Sequence, residues 1–181
     1  MRYRLAALLL GFFALAGCGD GPDGSSRDKS YILTTASTGG TYYPVGVGIS
    51  TLVKLKLAET HNISLSAINS AGSGENIKLM RSGEAQFALV QGLYGVWAST
   101  GQGAYGRYGP QLNLRSMTML WPNVEHFVLH RDYVKTGTLE DLKRLEGAKF
   151  AVGNRNSGAS QSTQMIFDQL GIKENEHLSY A

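Results

Sequence analysis

The chain has 181 residues, 43% hydrophobic and 17% charged, enough apolar material for one ordinary domain or two small lobes and too much for a disordered chain. Its formal charge is +3, but Arg2 and Arg4 sit ahead of an apolar run, and without them 15 basic residues face 14 acidic ones. No basic cluster with interleaved aromatics remains, so the electrostatic footprint of a nucleic-acid binder is missing.

The apolar run Leu5 to Ala16 has 12 residues. As a helix it rises roughly 18 Å, short of a hydrocarbon core of about 30 Å. It reads as a secretory signal spanning residues 1–18. Leu15-Ala16-Gly17-Cys18 resembles a bacterial lipobox, with the sole cysteine, Cys18, as the residue that takes the lipid. Residues 19–30, all small, polar or charged, read as a flexible tether. The expected location is extracytoplasmic, with a lipid anchor at a membrane surface.

The folded part alternates. "YILTTA", 31–36, is a β-branched run that predicts a buried strand. A helix is expected from Pro44, with Val45, Ile49, Leu52 and Val53 as its apolar stripe. "ISLSAIN", 63–69, predicts a second strand, and "SAGSGEN", 70–76, a turn into a short helix that Gly83 stops. "AQFALVQ", 85–91, predicts a third strand, followed by a weaker helix near 93–99. The glycine-rich stretch 101–110 reads as an irregular loop. Strands are expected at 114–121 and 125–131, separated by Pro122-Asn123. A helix is expected at 138–145 with Thr138 as N-cap, a strand at 149–154, a helix at 160–171, and a strand beginning in "HLSYA".

Strands alternating with helices predict an α/β class with a mostly parallel sheet. The break after residue 131 marks a passage from one sheet to a second, giving a first lobe at 31–131 and the start of another at 132–181. Ligands in such folds bind beyond the carboxyl ends of strands. Three turns sit there: "STGGTYYP", "SAGSGEN" and "GNRNSGASQS". Each is rich in Gly, Ser, Thr or Asn and precedes a helix with free N–H groups, a ready anion site. Ser37, Thr38, Ser73, Asn156, Ser157 and Ser160 could add donors.

No turn carries the lysine of a Walker phosphate loop, and "TGGTYY" is not GxGxxG, which disfavours nucleotides. Of Tyr42 and Tyr43, one packs on the sheet and one walls a pocket, and the residues alone leave open which. Gln91, ending the third strand, is either a ligand contact or a buried amide that satisfies loop backbone. Trp121 reads as core. His126 and His130 stand about 13 Å apart along an expected strand, too far for one zinc. There is no HExxH and no GxSxG. Catalytic residues, a metal and a cofactor are therefore not expected.

"TTASTGGTYYPVG", "SAGSGENIKLMRSGEAQFALVQ" and "LEDLKRLEGAKFAVGNRNSGA", in that order behind a lipobox, resemble the TAXI family of extracytoplasmic solute receptors associated with TRAP transporters. The resemblance implies a two-lobed periplasmic-binding-protein fold of type II. It implies binding of a small organic acid, glutamate-like or a dicarboxylate, and delivery to a TRAP-type membrane permease. The alternative is a module of the same fold that presents its bound state to a membrane sensor kinase. By position, the family's ligand contacts fall on Thr38, Gly39, Gly40, Tyr43, Ser73, Gln91, Ser157 and Gly158. Where the family commonly reads Gly-Ser-Gly-Thr-Glu, this chain reads Asn156-Ser157-Gly158-Ala159-Ser160. Ser160 replaces the acidic residue that could pair with a ligand amino group, which argues against an α-amino acid ligand and leaves a plain carboxylate or a dicarboxylate open. Family members also run longer, so the first lobe is expected to be nearly complete and the second partial, as in a truncated product.

Overall fold

A computed structural model of the chain describes residues 28–145, 148–172 and 178–179. The expected leader, Cys18 and most of the tether lie outside the described residues. Three parallel strands form the first sheet: β1 (Lys29–Thr34), β2 (Ile63–Ile68) and β3 (Phe87–Ala88), in the order β2-β1-β3. β1 is the middle strand, so its apolar run is flanked on both edges. Leu33 faces Ala67 of β2 and Phe87 of β3 in register, and Leu33 and Thr34 are buried.

Helix α1 (Tyr42–His61) links β1 to β2. Pro44 lies in its first turn, where its missing N–H removes no intrahelical bond. Asn62 ends it in the left-handed region (φ 52), its N–H returning to the Ala58 carbonyl. The face turned to the sheet keeps most of the expected stripe, with Val45, Ile49 and Val53 half-buried. Gly46 and Ser50 are the buried positions, while Leu52 is 59% exposed. Small residues let the helix lie close to β1, and Leu52 falls on the outer side.

Helix α2 (Ser73–Ser82) connects β2 to β3 and stops at Gly83 (φ 79), as expected. Helix α3 (Gly92–Thr100) follows β3 and ends at Gly101. Ile77 of α2 packs with Tyr94 and Ala98 of α3 and with Tyr105 from the glycine-rich loop, forming the main apolar cluster. Tyr94 and Tyr105 meet edge-on at 6.2 Å. Burial raises both phenols to about 12.

The strands expected at 114–121 and 125–131 do not form. The described stretch 113–130 contains no strand or helix. Met117, Met119 and Val128 are 79%, 85% and 90% exposed. The apolar pattern is present but no strand among the described residues pairs with it, and an unpaired strand has no ladder to hold it. Phe127 stacks on Phe150 at 6.3 Å and 24°, tying the segment to the second half of the fold.

The helix expected at 138–145 is a 3-10 helix, Leu139–Leu145. The Asp141 side chain governs this turn. Its carboxylate accepts the backbone N–H groups of Lys135, Thr136 and Gly137 at 2.8 to 3.1 Å. Burial pushes the Asp141 carboxyl up, but the N–H groups of Thr136, Gly137 and Lys135 outweigh it and hold the carboxyl below its ordinary value.

The second sheet pairs β4 (Phe150–Ala151) with β5 (Leu178–Ser179) in parallel. Between them runs α4 (Gly158–Gln169), N-capped by Ser157, whose hydroxyl accepts the Ser160 N–H at 3.1 Å. Leu142, Val152 and Phe167 are buried here. The described strand pairs are all parallel, in keeping with the α/β class. No helix among the described residues is long and apolar enough to cross a membrane.

Candidate functional site

A buried polar lock fixes the carboxyl ends of the first sheet. Asn76, fully buried in α2, uses every hydrogen-bonding group of its amide. Its Oδ1 accepts from the hydroxyls of Thr34 at 2.7 Å and Ser70 at 2.6 Å. Its Nδ2 donates to the carbonyls of Thr35 at 2.5 Å and Leu89 at 2.7 Å. One side chain thus joins the ends of β1 and β3 to the turn after β2. The Ser70 hydroxyl also accepts the Gly72 N–H at 3.0 Å, and Glu75 reaches back to the Ala71 N–H at 2.6 Å. The second turn is therefore held from both sides.

The third turn docks against the second. The Gly74 N–H donates to the Asn156 carbonyl at 2.9 Å. Gly72 has φ 120, and a Cβ there would lie 3.3 Å from the Ser157 Cα. A Cβ on Gly158 would stand 2.5 Å from Oε1 of Gln91. Glycine at both points lets the two backbones meet.

Where these turns meet lies an open cavity of about 440 Å³. The first turn contributes Ala36, Ser37, Thr41 and Tyr42. The second contributes Ala71, Gly72 and Ser73, and Gln91 follows β3. The third contributes Gly153, Asn154, Ser157, Gly158 and Ala159. The unpaired segment closes the remaining side with Trp121, Asn123, Val124 and Glu125. The N-terminal turns of α1, α2 and α4 therefore open into one space, each bringing partial positive charge.

Of the residues expected at the site, Ser73, Gln91, Ser157 and Gly158 are brought together in this wall. Thr38, Gly39, Gly40 and Tyr43 are not among its lining residues. Gly40 instead closes the first turn, its N–H on the Ser37 carbonyl at 2.9 Å. The tyrosine facing the cavity is Tyr42, whose ring meets Trp121 edge-on at 5.9 Å. Trp121, read as core, is a wall residue. Gln91 is buried beside the cavity, and its amide serves a side chain and not loop backbone: its Nε2 donates to Glu125 at 3.0 Å in the wall. The Ser73 hydroxyl accepts the Gln91 N–H at 2.9 Å.

Sequence reasoning missed Asn76, Asn123 and Glu125. Asn76 carried a signal in helical spacing: it stands three residues after Ser73 and four before Met80, on one side of α2. Pro122-Asn123 marked a break, but nothing in spacing aimed Glu125 at the first turn. No Lys or Arg is among the lining residues, and Glu125 is the one acidic side chain there. Burial raises the Tyr42 phenol, and the Glu125 charge adds to that, against a hydrogen bond with Ser73 that lowers it. Among the described residues no group of three or more His, Cys, Asp or Glu could hold a metal ion.

Compared with known protein families, residues 33–181 match the NMT1-like family model.

Proposed function

The chain belongs to the NMT1-like family, a periplasmic solute-binding family related to the receptors of TRAP and ABC transporters, and from that premise we propose that it captures a small organic acid between two lobes for a TRAP-type permease. The finer likeness to the TAXI receptors rests on its three turn motifs. The observation that carries the proposal is the meeting of those turns in one cavity beyond the carboxyl ends of the strands.

The mechanism needs no bond made or broken. An acid group sits at the N-terminal turns of α1, α2 and α4, where Ser37, Thr41 and Ser157 line the cavity and backbone N–H groups are its donors. Helix N-termini stabilise an anion without a cationic side chain. Tyr42 and Trp121 cover the apolar part of the ligand and exclude water. Thr38, Gly39, Gly40 and Tyr43 are proposed to join the site only as the first turn closes on a ligand. The anchor at Cys18 belongs to the same proposal, with Cys18→Ser expected to release the protein from membranes.

Titration calorimetry of the mature protein against a panel of C3 to C6 mono- and dicarboxylates and amino acids tests the reading. Saturable binding of at least one, weakened by Trp121→Ala, is expected. Silence across the whole panel would remove the proposal.

A further inference from the structure

Glu125 is the feature that plain acid binding leaves unexplained. A lone carboxylate facing a cavity without Lys or Arg repels a second carboxylate unless the ligand brings its own positive charge. The side chain is held in place. Oε1 of Glu125 accepts two amide donors, Nε2 of Gln91 at 3.0 Å and Nδ2 of Asn123 at 3.0 Å. Neither donor is charged, so among the described residues the negative charge is oriented but has no cationic partner.

The orientation has a cost. With Nε2 on Glu125, the Oε1 of Gln91 is left buried without a donor. Rotating the amide would turn that oxygen onto the carboxylate and break the bond from Nε2 to Glu125. The neighbourhood is aromatic as well, since Tyr42 and Trp121 meet edge-on at 5.9 Å and line the same cavity. A fixed carboxylate beside aromatic rings is an environment that receives an organic cation.

Resting on the solute-receptor reading, we infer that Glu125 is a specificity determinant that receives a positively charged nitrogen of the ligand, while the acid group lies at the helix N-termini. The ligand class is then an amino acid or another ammonium-bearing carboxylic acid, not a plain dicarboxylate.

Two matched pairs test this by calorimetry on the whole mature chain: L-glutamate against glutarate, and γ-aminobutyrate against butyrate. At least one amino member is expected to bind about tenfold tighter than its deaminated partner, as a charge-assisted hydrogen bond would give. Glu125→Gln is expected to remove that preference and Glu125→Asp to keep much of it. A merely structural Glu125, needed only to hold Gln91, would lower the melting temperature of Glu125→Gln and leave the preference untouched. That result overturns the inference. So does wild-type protein that binds glutarate or butyrate as well as the amino members, which leaves the solute-receptor reading standing. If no member of either pair binds while other acids do, the inference again falls alone. If nothing in the wider panel binds, both fall. The wild-type comparison decides even if Glu125→Gln does not fold.

Discussion

Residues 29–100 and residues 112–134 carry similar apolar patterning and reach opposite ends. In the first stretch each expected strand finds a partner: β1 pairs with β2 over six residues and with β3 over two. In the second, no strand forms and Met119 and Val128 stand 85% and 90% exposed. Alternation states which face a strand would bury, but only a neighbouring ladder makes it a strand. The difference is functional, too. The paired region supplies fixed backbone turns, and the unpaired one supplies the side chains Trp121 and Glu125 that face them.

The sharpest way to break the contrast is to remove the lock of the paired region. Asn76→Ala is expected to destabilise the fold by about 3 kcal/mol, since the Leu89 carbonyl and the Thr34 and Ser70 hydroxyls lose their buried partner. Urea unfolding followed by circular dichroism measures it. Gly72→Ala comes next, at about 1–3 kcal/mol, because φ 120 strains any side chain and the new Cβ meets Ser157. It should also weaken ligand binding by pushing the third turn away.

Asp141→Asn is expected to act more mildly, with an acid signature. The folded carboxyl lies below its ordinary value, so its stabilisation is complete above the unfolded-state pKa and is lost as pH falls through the lower folded one. The gap in melting temperature between wild type and Asp141→Asn should be full at pH 7 and close only in acid. Smallest of all, Val128→Ser in the unpaired segment should change stability by less than about 0.5 kcal/mol. A loss of about 2 kcal/mol or more there would mean that the segment is packed in solution, and the comparison would fail.

Much of the order of elements was legible before the structure. β-branched runs and Gly83 as a stop are local signals, and parallel neighbours support the strands among them. In the α1 stripe Val45, Ile49 and Val53 hold as half-buried positions and Leu52 does not, because packing close to β1 favours the small faces of Gly46 and Ser50. At the site, the turns themselves were legible because Gly, Ser and Asn are needed for their backbone. Which tyrosine faces inward, and that Glu125 reaches Gln91, depend on contacts between residues tens of positions apart. No local pattern encodes those contacts.

The central claim is that three turns and the unpaired segment form one binding site. Amide hydrogen exchange, read by mass spectrometry with and without the tightest-binding acid from the calorimetric panel, tests it most directly. Protection is predicted to rise together in peptides covering 36–42, 71–73, 91 and 153–159, and in the 121–125 peptide with them. Protection confined to one turn, or appearing only elsewhere in the chain, would contradict the account.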